Sequence, residues 1–320
     1  METIRPPGLK KGDRVMIVTP SEPINSQRSF RRGVKTLEEL GFQIEFSKYH
    51  RLAYFYKAGL PEKRAEDINS AFADPKIKGI FMATGGFSAT EVLPLLDYDL
   101  IRKNPKLIMG FSNGTVLSNA IFAKTGLVTF YGFCVEYFFW RKTSYTIDSF
   151  LNMTSRGERV FTQRTKWKNL RDGRAVGKLI GGNLTSFVQL IGTPYLPDLT
   201  NGILFLEEHY DWSQDIEAHL MHLRLADFFG ENKIQAVVFG KFYDVDIGSG
   251  DCEYRGVKKP RGFTLYSIFK EKIPKNIPIL ANVDFGSITS LATIPIGVEA
   301  EIILRRNQRP QFKLMKPAVI

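Results

Sequence analysis

Ser112 is a small hydroxyl set between glycines, in Gly110-Phe111-Ser112-Asn113-Gly114, where the apolar run Leu107-Ile108-Met109 gives way to a helix-like pattern. A strand that turns sharply into a helix can hold a serine Oγ clear of its own backbone, and the amide of the next residue, Asn113, then points toward a developing oxyanion. That chemistry is nucleophilic attack on a carbonyl. The same Gly-rich turn also serves tight packing or phosphate binding, so what the hydroxyl would work with has to come from the rest of the chain.

Few residues offer themselves as partners. The chain has four histidines, His50, His209, His219 and His222, and none after His222. His209 follows two positions after Glu207 in Glu207-Glu208-His209, so on a continuous strand the two share a face and Glu208 points to the other, where it is expected to be solvent-exposed or salt-bridged. His219 and His222 fall one turn apart on an amphipathic helix; without a carboxylate or cysteine partner at ligand spacing, helix packing explains them better than metal binding. Cys134 and Cys252 are far apart, with no CxxC, so neither a disulfide framework nor a zinc site is indicated. No cofactor or metal is expected.

The elements that must position these groups alternate. Asp13–Pro20 reads as a buried strand, Gln27–Leu40 as a helix closed by Gly41, Phe42–Phe46 as a strand, Pro61–Phe72 as a helix, and Lys78–Ala83 as a strand ending in Thr84-Gly85-Gly86. Ala89–Leu96 is a short helix, Lys106–Gly110 a strand, Thr115–Lys124 a helix and Leu127–Tyr131 a strand. This predicts an α/β fold with an open parallel sheet, whose ligands sit beyond the carboxyl ends of its strands. Residues 141–174 read as a polar, basic connection. A second core starts at Val176–Asn183, with a helix over Leu184–Ile191, a strand Ile203–Leu206 delivering Glu207, a helix over Asp215–Phe228, strands at Ala236–Phe242 and Ile277–Val283, and a closing strand pair at Ala300–Leu304 and Gln311–Met315. The expected organisation is an N-terminal α/β domain over 1–140, a connecting segment over 141–174 and a C-terminal α/β domain over 175–320.

Composition bounds the function. With 320 residues, 43% of them hydrophobic, the chain can bury a large core. No apolar run approaches the roughly 20 residues of a membrane span, and Met1–Pro7 lacks a signal-peptide h-region, so the expectation is a cytoplasmic protein without a membrane partner. The net charge of +11 is spread through the chain, and its local clusters are not interleaved with aromatics as in a nucleic-acid module, so no nucleic-acid partner is expected. Tyr131–Trp140 is unusually aromatic; core packing or a dimer face explains it better than a ligand wall, and Asn183, after Gly181-Gly182, fits a helix N-cap.

Nine segments taken in order resemble one family, the LD-carboxypeptidase and microcin C self-immunity group of serine peptidases. They are Leu9–Asp13, Ala71–Pro75, Thr84-Gly85-Gly86, Leu96–Ile101, Gly110–Asn113, Lys124–Thr129, Gly181–Leu184, Leu204–Glu208 and Thr293–Gly297. The resemblance implies an amidotransferase-like (flavodoxin-like) N-terminal domain, a smaller C-terminal α/β domain, a homodimer, and cleavage of small peptide-like substrates: murein tetrapeptide at its L,D bond, or aminoacyl-nucleotide antibiotics. It makes Ser112 the nucleophile, the N–H groups of Gly86 and Asn113 the oxyanion hole, and Glu207 the carboxylate of a Ser-His-Glu triad.

The family's histidine stands in a Gly-His-Thr-x-Pro segment, and counting back from Thr293–Gly297 places Ser287 at its position, within Gly286-Ser287-Ile288-Thr289-Ser290. Asn113 replaces the family's common aspartate. A serine hydroxyl needs a neighbouring base to take its proton, and Ser287 does not titrate near neutral pH; His209 is the one candidate substitute near the site. Three readings follow: a family amidase with impaired or altered catalysis, a catalytically inactive relative that binds a small peptide-like ligand, and an α/β-hydrolase esterase. The third needs a C-terminal histidine the chain lacks and leaves the other eight segments unexplained.

Overall fold

The computed structural model describes residues 2–138, 142–209, 212–243, 263–286 and 291–320. The first half contributes five strands, β1 (Arg14–Val18), β2 (Gln43–Phe46), β3 (Ile77–Met82), β4 (Leu107–Gly110) and β5 (Thr129–Tyr131). The second half contributes β6 (Lys168–Arg171), β7 (Gly173–Asn183), β8 (Gly202–His209), β9 (Ile234–Tyr243), β10 (Ile279–Ala281), β11 (Ile294–Ile296), β12 (Glu299–Leu304) and β13 (Gln311–Leu314). They form two sheets, ordered β11-β5-β4-β3-β1-β2 and β13-β12-β7-β8-β9-β10-β6.

In the first sheet β2, β1, β3, β4 and β5 run parallel, as the alternating pattern predicts. All four residues of β4 are buried, because a central parallel strand is covered on both faces by helices. The sixth strand is a correction: β11 returns from the second half of the chain and pairs antiparallel with β5, Ile294 opposite Tyr131. Three residues of Ile294-Pro295-Ile296 carry too little periodicity to announce a strand. In the second sheet β7 to β10 are parallel, β12 and β6 pair antiparallel at either side of them, and β13 pairs antiparallel with β12.

The stretch read as a connection holds structure. Thr143 caps a helix over Ser144–Thr154 whose Phe150 and Met153 are buried, and β6 pairs with β10. Phe150 packs edge-on against Phe133, which stacks on Phe138 at 3.7 Å with nearly parallel rings. Most of the described aromatic run after β5 is therefore core. The expected helix over 184–191 is shorter, ending at Val188.

Helices position the elbow through their own sequence rules. Gln27–Glu39 starts at the N-cap Ser26 and buries Phe30, Gly33, Thr36 and Leu37, the one-face spacing of an amphipathic helix. The helix that follows Ser112, Gly114–Thr125, is buried over most of its length and ends at Gly126 in the left-handed conformation. It docks on the second sheet, where Asn119 Nδ2 donates to Gly181 O at 2.8 Å and Asn183 N donates to Thr115 Oγ1 at 2.9 Å. A Cβ at position 182 would lie 2.5 Å from Thr115 Oγ1, so this close approach requires glycine there.

Candidate active site

Ser112 leaves β4 with φ at +54°, a left-handed conformation that costs a non-glycine residue about 1 kcal/mol or more and that persists only where the surroundings over-determine it. This is the strained strand-to-helix turn that the Gly-x-Ser-x-Gly pattern predicts. The strand ends around it converge. The loop after β3 passes so close that a Cβ at position 85 would stand 2.9 Å from Ser112 Cβ and 3.0 Å from its Oγ, with Asn113 N at 3.8 Å. Gly86 follows at φ +127°, and a Cβ there would overlap Ser21 Oγ and the Glu22 side chain, so only glycine lets this loop lie against the elbow.

Asn113 is fully buried and its side chain ties the loops together. Its Oδ1 accepts from Ser21 Oγ at 2.9 Å and from Ala89 N at 2.8 Å, while its Nδ2 has no hydrogen-bond partner among the described residues. Ser21 also accepts from Ser88 N at 3.0 Å, and its carbonyl receives Ser88 Oγ and Ala58 N. Sequence reading missed Ser21 because nothing local distinguishes it from any loop serine after a strand.

Glu207 arrives from the other sheet. It is fully buried near the end of β8, and Tyr131, at the end of β5, donates its hydroxyl to Glu207 Oε1 at 2.6 Å. Burial, reinforced by the Glu207 carboxylate, pushes the Tyr131 phenol well above its ordinary value, so it stays protonated and donates. The same hydroxyl receives Ser112 N at 3.4 Å, a long contact that places the carboxylate one side chain away from the elbow. Asn183 Nδ2 adds a second donor to Glu207 Oε1 at 3.2 Å.

Asn183 is the N-cap the sequence predicts, with Oδ1 accepting from Ser186 N, and it is more than a cap. Its Nδ2 also donates to Glu208 Oε1 at 2.6 Å, so it bridges both carboxylates. Glu208 is thereby a correction: it is 4% exposed, not turned to solvent, and accepts from Thr185 N at 2.8 Å and His209 N at 2.9 Å. The pairing of β8 with β9 shifts register between Leu206 and Glu208, which breaks strict alternation of the side chains. Burial pushes the Glu208 carboxyl up, against the amide donors that hold it down.

Ser287 lies outside the described residues, as does Cys252. The residue before it, Gly286, abuts the Glu207 carboxylate: a Cβ there would lie 2.8 Å from Glu207 Oε2. That segment is anchored by Asp284, which accepts from Arg164 N, Thr165 N and Trp167 Nε1 at 2.8 to 3.0 Å and from Thr165 Oγ1 at 2.5 Å, while its carbonyl receives Ala292 N. Burial alone would raise the Asp284 carboxyl; its donors outweigh that and hold it below the usual carboxylate range. His209 sits half-buried at the end of β8 with its amide on Glu208. His219 Nε2 lies 3.4 Å from Thr185 Oγ1, and His222 is exposed on the same helix, Ser213–Leu225. Among the described residues no three His, Cys, Asp or Glu side chains group as a metal site, and no helix is long and apolar enough to cross a membrane.

Sequence comparison gives the family. Residues 15–132 match the model of the LD-carboxypeptidase N-terminal domain and residues 176–302 that of the LD-carboxypeptidase C-terminal domain. The chain belongs to the LD-carboxypeptidase family. It is 32% identical over 313 residues to a putative carboxypeptidase of Treponema pallidum, covering 90% of this chain and 89% of that protein. It is 30% identical over 327 residues to the microcin C7 self-immunity protein MccF of Escherichia coli, covering 92% and 91%. The solved structure of MccF in complex with glutamyl sulfamoyl guanosine superposes with a TM-score of 0.86 at 26% identity, over 98% of this chain and 99% of that one. The two-part α/β architecture of this LD-carboxypeptidase relative is thus shared with MccF.

Proposed function

We propose that the protein is a serine amidase of the LD-carboxypeptidase type, acting on small peptide or aminoacyl amides, with turnover lowered by the serine at position 287. Ser112 Oγ attacks the carbonyl carbon, forming an acyl ester as the C–N bond breaks. Gly86 N–H and Asn113 N–H receive the negative charge that builds on the carbonyl oxygen. Glu207 is the triad carboxylate. In the family's arrangement an imidazole carries the Oγ proton to the departing amine; here that proton passes through solvent or through His209, and water then hydrolyses the ester.

The observation that carries this reading is the strained Ser112, at φ +54° with Gly85 against its Oγ, held one Tyr131 hydroxyl away from a buried carboxylate. A chain that had dropped the chemistry would gain by relaxing that residue. Loss of a triad member leaves roughly 10³ to 10⁴-fold catalysis over water from the oxyanion hole and binding. Slow release of D-alanine from murein tetrapeptide, or of the amino acid from an aminoacyl sulfamoyl nucleoside, is expected and should vanish in Ser112→Ala. The second reading, a cleft that binds such a ligand without turning it over, is favoured by Ser287 and wins if purified protein binds these compounds yet cleaves neither above the Ser112→Ala background.

A further inference from the structure

The loop after β1 carries Glu22 onto the glycine loop that faces Ser112. Its amide donates to Gly85 O at 3.2 Å, and its side chain is so close that a Cβ at position 86 would meet its Cγ at 2.3 Å and its Cδ at 2.7 Å. The carboxyl is partly buried and bonds the Asn25 side chain. Among the described residues no lysine, arginine or histidine is ion-paired with it, although the chain has 44 lysines and arginines against 33 acidic residues. Burial pushes the Glu22 carboxyl up and nearby Glu136 adds to that, while Asn25 works the other way.

A negative charge beside an oxyanion loop opposes the charge that grows on the substrate carbonyl. The surroundings do not relieve it: Glu136, itself buried, pushes the Glu22 carboxyl further up. The arrangement becomes productive when the ligand supplies a cation. An α-ammonium group is two bonds from its own carbonyl carbon, so an oxygen seated on Gly86 N–H brings that ammonium within reach of a side chain packed on Gly86.

We propose that Glu22 recognises an ammonium group next to the scissile carbonyl, so that of the two substrate types the site selects aminoacyl amides with a free α-amine over Nα-acylated compounds, murein tetrapeptide among them. This rests on the assignment of Ser112 and Gly86 made above. Glu22 is a binding residue in this account and takes no proton from Ser112.

The test uses Ser112→Ala protein, which holds substrate uncleaved, and calorimetric titration with aspartyl sulfamoyl adenosine and its Nα-acetyl derivative. The free-amine compound is expected to bind about tenfold more tightly. In Ser112→Ala/Glu22→Gln its affinity should fall by about that factor and the acetylated compound should be unaffected, bringing the ratio near one. Raising salt from about 50 to about 500 mM should weaken only the free-amine compound in the Glu22 protein, a readout that does not depend on how the variant folds. A ratio near one with Glu22 in place, or a ratio that survives Glu22→Gln, overturns the proposal and leaves the amidase reading standing. Failure of both compounds to bind overturns this inference, and the amidase reading then rests on release of D-alanine from murein tetrapeptide alone.

Discussion

The proposed nucleophile side of the cleft and the proposed base side keep the family's residues to different degrees. On the nucleophile side, Ser112, Gly85, Gly86, Asn113 and Ser21 come from three loops of one parallel sheet and interlock through backbone contact and buried hydrogen bonds. On the base side, Glu207 is held with equal care by Tyr131 and Asn183, yet the segment that begins at Gly286 brings a serine where the family places histidine. Glu207, the proposed triad carboxylate, is held by its own partners. On the proposed reading, the groups that bind and polarise a carbonyl are retained while the group that moves the proton has changed, because the two sets sit on different loops and meet only through the Tyr131 hydroxyl.

The sharpest way to break that contrast is to restore the base. Ser287→His is expected to raise kcat on murein tetrapeptide or aspartyl sulfamoyl adenosine by about 10²- to 10⁴-fold, the usual worth of a positioned general base. Steady-state hydrolysis with Ser112→Ala/Ser287→His as the blank reads the gain directly. An unchanged rate would mean the base side differs by more than one residue.

Damage to the nucleophile side should come next in size. Gly86→Ala places a Cβ 2.3 Å from Glu22 Cγ at φ +127° and displaces the proposed oxyanion donor, for an expected loss of about 10²- to 10³-fold in kcat measured in the Ser287→His background. Full activity in that variant would remove Gly86 from the oxyanion hole.

The link between the two sides is weaker and is read as stability. Tyr131→Phe takes a donor from the buried Glu207 carboxylate and should cost about 1.5–3 kcal/mol in urea unfolding. Tyr131→Phe/Glu207→Gln should cost less than the two single changes added together, since they share one interaction; strict additivity would show that the bond does not couple the sheets.

Asp284, which anchors the base-side segment, gives the smallest signal. Its carboxyl is held below the usual range in the folded state, so its contribution is intact above the unfolded value, near pH 4, and is lost as pH falls through the depressed folded value. Burial offsets part of what its donors provide. Asp284→Asn should therefore flatten the acid limb of a stability-against-pH curve, and an unaltered limb would show that the group titrates normally.

Much of this was legible beforehand because it is local. Alternating apolar strands and capped amphipathic helices specify the parallel sheet through short-range propensity and period, and Gly-x-Ser-x-Gly marks an elbow because few residue types tolerate that turn. The order of the nine segments carried the family, and the absence of any histidine after His222 carried the doubt about its chemistry. Residues whose role depends on a distant partner were not legible. Tyr131 sat inside an aromatic run that reads as core, and most of the described run is core; its hydroxyl matters because β5 ends opposite β8. Asn183 was visible as a cap, and its second role needed both glutamates on its side of the sheet. Glu208 was misread because strand alternation assumes unbroken register, which the pairing of β8 with β9 does not keep.

By itself, then, the sequence determined the α/β elements, the elbow at Ser112 and the missing imidazole, all matters of residue type and spacing along one stretch of chain. Only the tertiary structure decided that Glu207 reaches Ser112 through Tyr131, that Glu208 is buried, and that Glu22 lies against the loop facing Ser112. Those facts depend on which strand ends meet across two sheets, and such meetings are set by the packing of segments tens of residues apart, which no local pattern records.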